Sequence, residues 1–175
     1  VYMRRFPGSS DEEWPTYRRD ASRSASTPLR VPTDLRTLWR AELGGRLTSP
    51  TVAEGKVLVA SVDEHRVIAL DARTGKPAWD FTAGARVDSP PTIHQGHALF
   101  GCRDGYVYSL RLFDGEPAWR FLAAGRDRRV LVRGQLESVS PVHGSVLVQD
   151  GVACFTAGRS SYLDGGMHLV AIEPH

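Results

Sequence analysis

No run of apolar residues in this chain approaches the roughly 18 needed to span a bilayer. The sequence therefore offers no transmembrane segment. A charged, apolar and small-residue leader is also absent, so no secretory signal is visible. Val1 rather than Met stands first, so an upstream segment is expected. Cysteine is scarce. Cys102 and Cys154 are alone, with no Cys-x-x-Cys, no haem-attachment motif and no zinc spacing. Their places in the repeat described below differ, which predicts two free thiols. The histidines are scattered. His94 and His97 are close, but they flank a Gln-Gly turn with no third ligand near, so no metal site is assigned. Sustained helical periodicity with caps is missing as well.

Lysine is nearly absent, since only Lys56 and Lys76 are not arginine among 22 basic residues. The net charge of +2 is too small to argue for nucleic acid. Arg120, Arg126, Arg128, Arg129 and Arg133 are crowded around the single acid Asp127. A solvated loop accounts for them, and a patch for an anionic ligand or partner is the alternative.

What is present is a repeat. Trp39, Trp79 and Trp119 are forty residues apart, and the same phrase surrounds each. One copy holds strand A at Thr48–Val52, strand B at Lys56–Ser61, strand C at Arg66–Asp71 and strand D at Pro77–Phe81, separated by Gly, Asp and Pro turn signals. A second copy runs from Asp88 through Trp119 to Phe121. A third begins at Ser140-Pro141-Val142 and reaches Ile172-Glu173. Four short strands repeating at this period predict an all-β fold, a β-propeller of four-stranded antiparallel blades. The blades are expected at about 38–82, 83–122 and 134–175 within a partial propeller over 31–175. Residues 1–30, rich in Arg, Ser, Pro and acids, are expected to form an irregular linker or strap, with Trp14 and Tyr17 packing on the blades.

A four-stranded sheet buries both faces only when blades stack. Gly75 and Gly115 are placed to give the positive φ that their turns need. Asp71 and Thr74 can bond turn backbone, and Trp79 and Trp119 each offer a flat apolar surface to a neighbouring blade. With Ala69 these residues are read as structural, joining blades, and both tryptophans are expected to be substantially buried. No residue is singled out as catalytic.

The phrase Ala69-x-Asp71-x-x-Thr74-Gly75-Lys76-x-x-Trp79 resembles the tryptophan-docking motif of quinoprotein-type propellers, the PQQ-binding-like repeat family. That family includes pyrroloquinoline quinone (PQQ) dehydrogenases and the lipoprotein subunit of the bacterial outer-membrane β-barrel assembly machinery. The second copy keeps Gly115 and Trp119 but replaces other motif positions. The lead-in Trp14-Pro15-Thr16-Tyr17 also resembles the segment before the first blade in this family. The resemblance implies about three blades of a seven- or eight-bladed ring, from a larger bacterial protein placed in the periplasm or otherwise outside the cytoplasm. Partners would be other proteins or the remaining blades, not nucleic acid.

Antiparallel geometry puts the strand B-to-C turns on one face with the links between blades. This face collects Arg86, Asp88, Arg103, Asp104, Glu137, Arg159 and Asp164, and long loops on a regular scaffold are where sites tend to sit. These seven are the cofactor- or partner-binding candidates. Two functions compete. The first is a non-catalytic scaffold for binding or protein assembly. The alternative is a PQQ- and calcium-dependent dehydrogenase, whose relatives often carry a vicinal Cys-Cys pair and an Asn calcium ligand. This sequence has neither a Cys-Cys pair nor any asparagine, which favours the scaffold. A sensor or accessory domain joined to another module is a third reading.

Overall fold

The computed structural model describes residues 13–123 and 125–174, and among them there is no helix. The part of the expected strap before Glu13 lies outside the described residues. The first four strands form one antiparallel sheet: β1 (Thr51–Ala53), β2 (Lys56–Ser61), β3 (Arg66–Asp71) and β4 (Pro77–Thr82). The second sheet repeats the order with β5 (Thr92–His94), β6 (His97–Gly101), β7 (Tyr106–Arg111) and β8 (Pro117–Leu122). A two-stranded hairpin follows, β9 (Arg129–Val132) and β10 (Gln135–Ser138). The third sheet has three strands, β11 (Val142–Gln149), β12 (Val152–Ala157) and β13 (His168–Ile172).

Two details differ from the reading above. Strand A of the first blade begins at Thr51, not Thr48, because Pro50 has no N–H to give to the ladder. The Thr48 N–H still donates to the Ala60 carbonyl at 2.9 Å, so the chain is held beyond the break. The arginine-rich stretch expected to be a solvated loop instead contains the β9–β10 hairpin, which spans the boundary placed at residue 134. Arg133 at φ 49° and Gly134 at φ 75° form its two-residue turn. Both positive values suit the turn type whose twist matches paired strands.

Alternation explains the core. Leu58, Ala60, Val67 and Ala69 of the first blade pack with Ala98, Phe100, Tyr108 and Leu110 of the second. The intervening Val59, Ile68 and Leu70 point the other way, onto Trp39, Ala41 and Leu43. Leu99 and Val107 of the second blade likewise turn toward Val142, Val146 and Phe155 of the third. Each middle strand thus buries both of its faces against a neighbour, which is why it reads as a nearly continuous apolar run. Within the first interface the rings of Phe100 and Tyr108 stack at 5.3 Å.

The tryptophans join consecutive units. Trp39 Nε1 donates to the Ala72 carbonyl at 2.9 Å, Trp79 Nε1 to Leu112 at 2.9 Å, and Trp119 Nε1 to Pro174 at 3.0 Å. A Cβ on Gly75 would stand 2.5 Å from the Trp39 ring, and one on Gly115 would stand 2.6 Å from the Trp79 ring. Trp79 and Trp119 lie in outermost strands, yet most of each side chain is covered where it packs against the core between successive blades. Asp71 holds the first turn, accepting bonds from Thr74 N at 2.8 Å and Thr74 Oγ1 at 2.7 Å. These bonds hold its carboxyl below the ordinary range. Ala69 is fully buried opposite Trp79.

The N-terminal strap crosses two first strands. Trp14 pairs with Val52 of β1, and Ile93 of β5 donates its N–H to the Pro15 carbonyl at 2.7 Å. Thr16, buried, shares a 2.9 Å hydrogen bond with Thr92, whereas Tyr17 is exposed.

Candidate functional site

Five of the seven charged residues gathered by the sequence onto one face meet in a single cluster. Arg86 and Asp88 come from the link between the first and second blades, and Arg103 from the β6–β7 turn. Glu137 comes from β10, and Arg159 from the β12–β13 connection. Glu137 is the hub, with no exposed surface. Arg86 is also buried. It donates to Glu137 Oε1 from Nε at 3.0 Å and again from Nη2. Arg103 Nη1 reaches Oε2 at 3.2 Å, while its Nε donates to Asp88 at 2.6 Å. Arg159 Nη2 reaches Oε2 at 3.5 Å and the Ser138 carbonyl at 2.8 Å.

Backbone geometry aims these groups. Arg103 N–H donates to the Arg86 carbonyl at 2.9 Å, and Ser138 N–H donates to the Arg103 carbonyl at 2.7 Å. The three connections therefore run side by side, and their side chains converge. Burial opposes charge on Arg103, but its bonds to Asp88 and Glu137 prevail and hold its proton more tightly. His143, at the start of β11, borders the cluster. Burial, followed by the positive charge of Arg103, holds its imidazole below the ordinary range. Arg159 acts in the same sense, against Asp88 and Glu137. Sequence reasoning missed His143, because it sits inside a strand where a core residue is the ordinary reading.

The other two candidates stand apart. Asp104, nearly fully buried, accepts the Tyr108 hydroxyl at 2.5 Å and the Tyr106 N–H at 3.0 Å. Its role is to seat the aromatic pair beneath the turn. Asp164 lies 3.9 Å from Arg128 and tethers the β12–β13 connection to the hairpin. Arg129 is paired with Asp127 at 3.1 Å, and Arg120 covers the Tyr106 ring at 4.8 Å. Cys102 is buried and donates to the Ala85 carbonyl at 3.3 Å, and burial pushes its thiol well above the ordinary value. Cys102 and Cys154 are both free.

The chemistry of this donor set is charge neutralisation between neighbouring connections. Calcium takes six to eight oxygen ligands, several of them carboxylate. Here Asp88 and Glu137 already carry three guanidiniums, and Asp104 is committed to two tyrosines. Among the described residues no three His, Cys, Asp or Glu side chains are grouped to hold a metal ion. With Asp88, Asp104 and Glu137 taken by protein donors, the charged residues gathered on this face do not fit a calcium-held quinone.

Comparison with known proteins places this architecture. A family model described as "Outer membrane protein assembly factor BamB" matches residues 32–173. Over 86 residues, 49% of this chain, the sequence is 33% identical to a DNA damage-responsive serine/threonine-protein kinase, RqkA, of Deinococcus radiodurans. That stretch is 13% of the kinase. Among solved structures, BamB from Moraxella catarrhalis aligns with a TM-score of 0.55 at 18% identity, over 78% of this chain and 36% of that one. A quinohemoprotein alcohol dehydrogenase from Pseudomonas putida aligns with a TM-score of 0.72 at 19% identity, over 94% of this chain and 25% of that one. A second such dehydrogenase, from Comamonas testosteroni, gives 0.70 at 20% identity, over 92% and 25%. At these identities the structures speak for the fold. The chain spans only a minor part of each of these proteins. Its stacked antiparallel sheets are blades of a β-propeller, and the chain belongs to the PQQ-like repeat family described as outer membrane protein assembly factor BamB.

Proposed function

We propose that this chain is a non-catalytic propeller segment that serves as a scaffold for binding or assembling other proteins, outside the cytoplasm. One observation carries the reading. The charged residues that would have to serve a cofactor are spent on one another around Glu137, while the same face displays exposed apolar side chains. Leu131, Leu136, Tyr162, Leu163 and Met167 are all exposed there, on connections longer than a tight turn requires. Blade-joining contacts by Trp79 with Gly115 support the accompanying view that the regular turns of the opposite face are structural.

The test is a pair of measurements on the protein. Incubation with PQQ and calcium, followed by dye reduction with a primary alcohol, is expected to give no saturable quinone binding and no turnover. Alcohol-dependent turnover would overturn the scaffold reading in favour of a dehydrogenase. A photo-crosslinker placed at Leu131 in the native host is expected to capture a discrete protein, whereas one at the exposed Phe113, on the opposite turns, is not.

The similarity to a kinase favours a second reading, a sensor module joined to a serine/threonine kinase. A kinase module in the same open reading frame would support it, and its absence would leave the scaffold reading alone.

A further inference from the structure

The β9–β10 hairpin has two unlike faces. Glu137 and Gln135 point down. Glu137 enters the arginine cluster, and Gln135 Oε1 meets His65 Nε2 at 3.2 Å, so the hairpin folds back over the β2–β3 turn of the first blade. Leu131 and Leu136, directly opposite one another, point out and are 71% and 52% exposed. The hairpin is thus anchored through Glu137 and Gln135, and from its other face it offers Leu131 and Leu136 beside Arg129.

Its edge is open too. Among the described residues β9 has β10 as its only neighbour. The two-residue turn makes Val132 and Gln135 the closing hydrogen-bonded pair, and alternation makes Val130 and Glu137 the next. The main-chain N–H and C=O of Leu131 and Arg129 therefore face away from the ladder. Such an edge is a template for another strand. Around it lie Arg126, Arg128, Arg129 and Arg133, with only Asp127 and Asp164 set against them. Among the described residues, Arg126 and Arg133 have no ion-pair partner.

We propose that β9 takes up an extended segment of another protein as a third strand, with an apolar residue beside Leu131 and acidic residues toward both ends. This rests on the scaffold reading and names the kind of partner. Charge complementarity selects an acidic segment. The open main-chain edge selects a peptide over a lipid surface, which would leave those N–H and C=O groups without partners.

The probe is a fluorescent nonapeptide with alternating valines at its centre and aspartates at both ends, followed by anisotropy. Saturable binding is expected. Methylating the backbone nitrogens along one edge of the peptide should weaken it at least about tenfold, since hydrogen bonds to the edge are lost. Leu131→Pro removes an outward N–H that the hairpin does not use, and should abolish binding while the circular dichroism and melting temperature hold. Arg129→Glu with Arg133→Glu should reverse the preference toward a lysine-ended peptide by about tenfold or more. No binding of the acidic peptide would overturn the proposal. So would equal binding of the methylated peptide, preference for anionic phosphatidylglycerol vesicles, or self-association that occludes the hairpin. None of these results touches the PQQ assay, so the scaffold reading stands or falls separately.

Discussion

Arg86 meets Glu137 with two nitrogens on one carboxylate oxygen, across fifty-one residues of chain and almost wholly buried. The pair ties the entrance of the second blade to the entrance of the third. Burying two charges is costly, and their attraction offsets the cost only while every partner is in place. Glu137→Ala would strand the buried Arg86 guanidinium and leave Arg103 and Arg159 with only Asp88 and the Ser138 carbonyl. It is expected to destabilise by about 3–5 kcal/mol, the range for breaking a buried pair. Urea unfolding checks this. The apolar exchange Arg86→Met with Glu137→Leu should recover part of the loss, and a single-variant loss below about 1 kcal/mol would show the pair to be dispensable.

Gly115 and Gly96 form a natural comparison. Both adopt positive φ, 77° and 75°, but a Cβ at Gly96 meets nothing within 4 Å, whereas at Gly115 it strikes the Trp79 ring. Gly96→Ala should therefore cost only the left-handed backbone penalty, about 1–2 kcal/mol. Gly115→Ala should cost about 1–3 kcal/mol more, because the ring must move. In a Trp79→Leu background the extra loss should vanish. A double-mutant cycle measures that coupling, and equal losses at the two glycines would sever Trp79 from the joint.

Ser109 takes the place that Ala69 holds one blade earlier, opposite the tryptophan of its own blade. Its hydroxyl is buried and has no hydrogen-bond partner. An unpaired buried hydroxyl costs about 1–3 kcal/mol. Ser109→Ala should raise stability by about 1 kcal/mol or more, read as an increase in the thermal midpoint. A decrease would mean that the hydroxyl finds a partner in solution.

Acid should loosen the cluster through His143. Its folded-state value lies below the ordinary one, led by burial and then by Arg103. The fold therefore favours the neutral ring. The stability linked to it is fully present above about pH 6.5 and is lost as pH falls through the lower folded value. Urea midpoints should decline on acidification below about pH 6.5, and His143→Gln should flatten that decline. Equal slopes for both proteins would remove His143 from the pH response.

Much of this was legible in the sequence. Lys56–Ser61 and Arg66–Asp71 are strands with the bounds their β-rich runs and flanking turns suggested, because both are apolar on both faces and closed by Gly and Asp. The face shared by Arg86, Asp88, Arg103, Glu137 and Arg159 followed from antiparallel geometry. Which of them would touch did not, since the 2–3 Å choices among side chains depend on how adjacent connections pack. The hairpin was hidden by its composition. Arg-Val-Leu-Val-Arg looks solvated because of its ends, and only Arg133-Gly134, an X-Gly pair between two short apolar runs, hinted at a turn. Repeat logic also could not foresee it, since no such insertion occurs between the first two blades.

The strap has a consequence for the order of events during synthesis. Thr16 bonds Thr92, seventy-six residues later, and Pro15 receives the Ile93 N–H. The strap leaves the ribosome before either blade and is therefore the last of these elements to settle, since β5 must emerge before Pro15 and Thr16 have their partners. Until then the strap's polar groups remain in water and the inner edges of both sheets stay uncovered. Full seating of Trp14 and Thr16 thus requires that the first strands of both blades already lie side by side.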